Sequence, residues 1–152
     1  MSNFETKYFG NIQFDEASVV VFPAGLPAFE EKRRFLALHF QPSAPLVYLQ
    51  SLEAGELCFV TLPVGAIDPN YQLTMSDDDV ERIGLARGRQ PAIGSDVLCL
   101  AVLSIREGGP TANLLAPVVI NLANRLAVQA VAQDVSYSHR HELIVQEAMA
   151  CS

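Results

Sequence analysis

The sequence predicts an all-β fold, mainly antiparallel, closing into a small β-barrel-like domain with one short helix. Three observations carry that prediction. Short apolar runs rich in Val, Ile, Leu, Phe and Tyr recur along the chain, Pro, Gly, Asn and Asp bound them, and a single interval carries helix-start chemistry. Ten segments read as strands: residues 4–9, 12–14, 18–22, 34–40, 46–52, 57–62, 71–75, 97–105, 117–121 and 125–131.

In chain order, the strand at 18–22 runs into the loop "FPAGLPAFE" (22–30). Its two prolines and glycine fix an extended turn that carries Leu26 and Phe29 toward its outside or rim. Exposed apolar groups of this kind mark interaction sites, whereas buried ones would plug the end of a barrel. The strand at 34–40, "RFLALHF", holds His39, and the strand at 46–52 alternates with Tyr48 on one face. Helix chemistry is confined to 76–85, "SDDDVERIGL": Ser76 is placed to cap, Asp77, Asp78 and Asp79 suit the positive first turn, and Val80, Ile83 and Leu85 face the body. Gly84 and "RGRQPAIG" then return the chain to the strand at 97–105.

The segment "TANLLAPVVIN" (111–121) is mostly apolar with a proline in its middle. Pro117 lacks an N–H and disfavours helical Ala116, so a continuous helix is disfavoured. Strand, tight turn and strand is the simpler arrangement, with Pro117 opening the first strand and Asn121 and Asn124 serving the turn. Beyond the turn, Leu126, Val128 and Ala130 share one face. "TANLL" before the proline reads as a loop or single turn that tucks Leu114 and Leu115 against the barrel.

The 152 residues, half of them apolar and with net charge -7, suit one compact acidic domain over residues 1–141 followed by a tail at 142–152. "MSNFETKYFG" has no basic start or apolar core of a signal peptide, and no run of ~18 apolar residues occurs, so a cytoplasmic protein is expected. Cys58 and Cys99 lie inside apolar runs and Cys151 is next to last, a set without disulfide or metal spacing. Ten scattered basic residues disfavour direct binding of nucleic acid, whose affinity rests on Lys and Arg neutralising phosphates. The aromatics beside basic residues in "KYFG" and "RFLALHF" are the one feature that suits an oligonucleotide-binding barrel.

Nucleophile elbow, phosphate-binding loop, dinucleotide fingerprint, zinc-protease and C-x-x-C motifs are all absent, so no enzyme activity and no cofactor are expected. His139, His141 and Glu142 in "SHRHE" fall short of the four ligands of a structural zinc site and read as a solvated tail. "SDDD" lacks the glycine and terminal Glu of a calcium loop and reads as helix capping. His39 reads as a strand histidine making a hydrogen bond. A small hydrolase using His39 or His139 as base would need a nucleophile within hydrogen-bond reach of either ring.

The order "TKYFG", "VFPAGLPAFE", "RRFLALHF", "VYLQSLE", the acidic helix, "TANLLAPVVIN", "VQAV" and "YSHRH" resembles the FliW family of flagellar assembly factors across residues 6–141. The resemblance implies a cytoplasmic, non-catalytic, barrel-like protein, read as a monomer, with two partners: flagellin and the RNA-binding regulator CsrA. It further implies that flagellin and CsrA compete, so that flagellin translation follows filament assembly; a flagellin-specific chaperone without CsrA binding is the alternative. The surface contacts it suggests are Leu26, Phe29, Tyr48, Asn113 and Tyr137. Three positions depart from the family pattern: Ala28 stands where the loop's glycine is common, "NLANRLAVQAV" lacks glycine and basic character, and "ARGRQPAIG" is more basic than usual.

Overall fold

The computed structural model describes residues 1–132 and 136–143. Strands β1 (Ser2–Thr6) and β2 (Gly10–Phe14) form a separate antiparallel hairpin. Strands β3 (Val20–Val21), β4 (Arg34–His39), β5 (Val47–Ser51), β6 (Cys58–Pro63), β7 (Val97–Arg106), β8 (Gly109–Ala112), β9 (Val118–Asn121), β10 (Ala127–Gln129) and β11 (His141–Glu142) form one nine-stranded antiparallel sheet. Its main path is β10-β9-β7-β6-β5-β4-β3, with β8 and then β11 added beside the far half of β7. Among the described residues, backbone pairing between the ends of the path is limited to a bridge between Val21 and Leu126 and a 3.0 Å bond from Val21 N–H to Arg125 O, so the barrel-like curl does not close.

Period-two alternation divides the sheet into two faces. Phe35, Val47, Leu49, Leu100, Val118 and Ile120 point inward with Phe22 to form the core of the curl. On the outer face, Val97, Cys99, Ala101, Val119 and Val128 pack beneath the segment at 71–83. At the other end of that face, Leu36, Leu38 and Leu52 lie beneath Phe4, Ile12 and Phe14 of the hairpin. The outer surface therefore has two covers and a gap between them.

Two α-helices are present where one was expected: α1 (Val64–Ile67), which follows Pro63, and α2 (Asp77–Arg82). The Ser76 hydroxyl caps α2 by accepting from Asp79 N–H at 3.1 Å, and Val80 and Ile83 are fully buried. The far end is held from outside the helix. Asn121 and Asn124 each donate a side-chain N–H to Ile83 O, at 2.8 and 3.1 Å, so the asparagines read as turn residues also dock α2 on the β9–β10 hairpin. Gly84 turns away there with φ +80, and a Cβ on it would lie 2.7 Å from Asn124 Nδ2.

The strand expected at 4–9 stops at Thr6, because Thr6 Oγ1 accepts from Phe9 N–H and donates to Gly10 O to form the hairpin turn. The strand expected at 71–75 is not in the sheet. Its alternation is real, with Tyr71, Leu73 and Met75 buried, but side chains answer its backbone: Tyr137 Oη accepts from Gln72 N–H, and the Gln90 amide pairs with both Met75 N–H and Met75 O.

"TANLLAPVVIN" is two strand pieces joined by a looped-out insert. Thr111 and Ala112 belong to β8, where the sequence predicts a loop or single turn, and Val118 to Asn121 form β9. Both run antiparallel to β7 on the edge opposite β6. Within the insert, Asn113 Oδ1 accepts from Leu115 and Ala116 N–H, and Leu114 N–H donates to Ser138 O. The carbonyls of Leu114, Leu115, Ala116 and Pro117 accept from Tyr71 Oη–H, Ala132 N–H, the Gln129 amide and Ala130 N–H respectively. The boundary expected at residue 141 falls inside β11, where Glu142 pairs with Thr111 and Leu143 N–H donates to Pro110 O; the rest of the tail lies outside the described residues.

Candidate functional site

The gap on the outer face is filled by aromatic rings. Tyr48 on β5 and Val60 on β6 are cross-strand partners there, with Cys58 two residues before Val60 on β6 and Phe40 just past the end of β4. The β1–β2 turn adds Tyr8 and Phe9. Phe9 stacks on Phe40 at 5.4 Å and meets Tyr48 edge-on at 5.4 Å, while Phe40 and Tyr48 lie 5.8 Å apart, so the three rings form a triangle. Tyr8 is 59% exposed and Phe40 42%, with the Lys7 ammonium 5.4 Å from the Tyr8 ring centre. Tyr8, Phe9, Phe40, Tyr48, Cys58 and Val60 together line an open apolar depression. Large apolar side chains grouped on a surface in this way suit contact with another macromolecule.

Of the residues expected to contact partners, Tyr48 alone lies in this patch. Leu26 is 5% exposed and packs in the inner core, so it plugs the curl instead of facing outward. Phe29 is 38% exposed and rests edge-on against Phe59 at 5.6 Å. Leu26 and Phe29 bracket a turn closed by a 2.8 Å bond from Phe29 N–H to Leu26 O, with Pro27 and Ala28 between them and Ala28 at φ +69. This is a type II geometry, which normally takes glycine at its third position. The loop's exit is fixed by Glu53, whose Oε1 accepts from Arg33 and Arg34 N–H at 2.6 and 2.9 Å. Desolvation pushes the Glu53 carboxyl up, but those two N–H groups with Lys32 and Arg34 outweigh it and hold the carboxyl below its usual value. The anchor is therefore present above the ordinary carboxylate range and is lost as pH falls through the lowered value.

Asn113 and Tyr137 serve the fold. Asn113 braces the insert, and Tyr137 stacks on Tyr71 at 4.3 Å while accepting from Gln72 N–H at 2.8 Å. Sequence reasoning had registered Tyr8, Phe9 and Phe40 only as aromatics near basic residues in "KYFG" and "RFLALHF". Their grouping depends on the hairpin folding back over β5, which no local pattern announces.

The chemistry of the described residues is that of a surface. His39 and His139 are exposed, and among the described residues neither ring is hydrogen-bonded to a hydroxyl or thiol. Burial pushes the Cys58 thiol up to about 11 and the Cys99 thiol up to about 12, the opposite of an activated nucleophile. No group of three His, Cys, Asp or Glu side chains among the described residues is arranged to hold a metal ion. The basic stretch after α2 pairs with the helix: Arg87 reaches Glu81 at 3.2 Å, Asp77 at 3.7 Å and Asp78 at 3.9 Å.

Residues 3–143 match the family described as FliW protein. The chain belongs to the FliW family. It is 33% identical to the flagellar assembly factor FliW of Geobacillus sp. (strain WCH70), over 93% of this chain and 95% of that one. It is 30% identical to that of Bacillus subtilis (strain 168), over 91% of this chain and 94% of the relative. A crystal structure of the flagellar assembly factor FliW superposes with TM-score 0.81 and 29% identity, covering 96% of this chain and 99% of the other. Membership in FliW, a family named for assembly and not for a reaction, agrees with a surface built for contact. No helix among the described residues is long and apolar enough to cross a membrane.

Proposed function

We propose that the protein is a cytoplasmic, non-catalytic flagellar assembly factor that binds flagellin and antagonises CsrA, so that flagellin translation follows filament assembly. Flagellin would capture the factor and leave CsrA free to repress the flagellin message; export of flagellin would return the factor to CsrA. The reading is supported by FliW membership over nearly the whole chain and, above all, by the exposed aromatic patch around Tyr48. Rings such as Tyr8 and Phe40 supply large contact area at small entropic cost, the usual make-up of an interface hot spot. The net charge of -7 adds a second effect once the factor sits on an RNA-binding protein, since it makes approach of phosphates less favourable. That part weakens as salt is raised.

The test is titration of flagellin and of CsrA into the wild type and into a Tyr8→Ala/Phe40→Ala variant. Neither ring belongs to a buried core, Tyr8 being 59% and Phe40 42% exposed, so the variant is expected to stay folded while partner affinity falls by roughly tenfold or more. Unchanged affinity for both partners would remove the patch from the account. Binding to flagellin with none to CsrA would reduce the function to that of a flagellin-specific chaperone.

A further inference from the structure

The aromatic patch is shared between two bodies of the fold. Tyr8 and Phe9 sit on the β1–β2 hairpin, whereas Phe40, Tyr48, Cys58 and Val60 belong to the nine-stranded sheet and its edge. The hairpin shares no ladder with that sheet. Among the described residues, one backbone–backbone hydrogen bond joins residues 1–14 to the rest, from Lys7 N–H to Gly55 O at 3.0 Å. For comparison, β4 and β5 are joined by five ladder pairs. The hairpin is amphipathic: Asn3, Glu5, Asn11 and Gln13 face solvent, and Phe4, Ile12 and Phe14 rest half-buried on the cluster of Leu36, Leu38 and Leu52. A two-stranded ribbon has at best marginal stability by itself, so this one depends on that apolar seat.

The seat requires close backbone approach at one point. A Cβ on Gly55 would lie 2.7 Å from Glu5 O, beside the Lys7–Gly55 bond. Thr6 and Gly10, at φ +64, then set the turn that swings Tyr8 and Phe9 toward Phe40 and Tyr48. The seat and the patch thus form together.

We propose that the β1–β2 hairpin opens as one unit while the nine-stranded sheet stays folded, and that the aromatic patch exists only in the closed state. Opening carries Tyr8 and Phe9 away from Phe40 and Tyr48 and uncovers Leu36 and Leu38. A ligand that touches both halves of the patch binds the closed state alone and shifts the population toward it. The hairpin is then a cover whose closure builds the contact surface.

Native-state hydrogen exchange of the intact protein in low concentrations of urea tests this. The amides paired between β1 and β2 are expected to share one opening free energy and one urea dependence, both smaller than those of β5 and β9, and to exchange at least roughly tenfold faster. Hairpin amides that follow β5 and β9 in both quantities would overturn the proposal, as would amides that exchange one by one without urea dependence. Gly55→Ala supplies the second readout. Faster exchange in the hairpin with β9 unchanged is expected; an equal acceleration in both would show that the hairpin and sheet open together.

Discussion

Gly25→Ala is expected to destabilise the protein by about 3 kcal/mol or more, among the largest effects available outside the core. Gly25 has φ +69, and a Cβ there would lie 2.3 Å from Glu30 O and 2.5 Å from Glu30 Cα. Both obstructing atoms are backbone, so no side-chain rotation relieves the clash. The loop would have to open between the Gly25 N–H bond to Phe22 O and the Arg33–Glu53 anchor, withdrawing Leu26 from the core and Phe29 from Phe59. Three residues on, the opposite change has the opposite sign. Ala28 carries a Cβ at φ +69 in a turn position that favours glycine, so Ala28→Gly is expected to gain about 0.5–1 kcal/mol, strain relief exceeding the added freedom of the unfolded chain. Urea denaturation of both variants measures the pair. A Gly25→Ala protein as stable as the wild type, or an Ala28→Gly protein less stable, would contradict this account of the loop.

Leu114→Ala is expected to cost about 3 kcal/mol, lowering the melting temperature by roughly 6–12 °C for a chain of this size. Leu114 is 2% exposed and packs with Tyr71, Val80, Ile83 and Val119 in the cluster beneath the segment at 71–83. Its backbone is equally committed, donating to Ser138 and accepting a 2.6 Å bond from the Tyr71 hydroxyl. Truncation therefore leaves a cavity where the insert, the segment at 71–75 and the turn at 136–140 before β11 are joined. Leu115 is only half-buried, so Leu115→Ala is expected to cost about 1 kcal/mol. Equal losses at the two positions would mean that the insert is not seated through Leu114.

Elements whose pattern is local were legible. Strands β4 and β7 are apolar on both sides because one side meets the inner core and the other an outer cover, β5 buries Val47 and Leu49 and leaves Tyr48 in the gap, and α2 carries its cap and acidic first turn in adjacent residues. Strand β8 was not legible, since "GPTA" has no apolar rhythm and its pairing comes from the far half of β7. The alternation at 71–75 was seen correctly but implied a neighbouring strand; tyrosine and glutamine side chains take that role. The second duty of Asn121 and Asn124, holding the end of α2, was equally invisible from turn chemistry.

The site divides in the same way. Tyr48 was placed on a strand face, and that face is the one left open. For Leu26 the sequence allows either an outward contact or a plug, and its burial in the inner core makes it the plug. Ala28 and the basic stretch at 86–94 stood out as departures from the family pattern, and the structure gives each a physical setting: a strained turn residue, and an arginine that pairs with the acids of α2. The aromatic patch unites residues 8, 9, 40, 48, 58 and 60, a grouping that long-range packing alone produces.

The proposed function requires a switch between two protein partners. Isothermal titration with CsrA from the same organism, repeated after saturation with flagellin, tests it most directly. Saturable CsrA binding that disappears once flagellin is bound is the expected result. CsrA binding that flagellin leaves unchanged would contradict the switch.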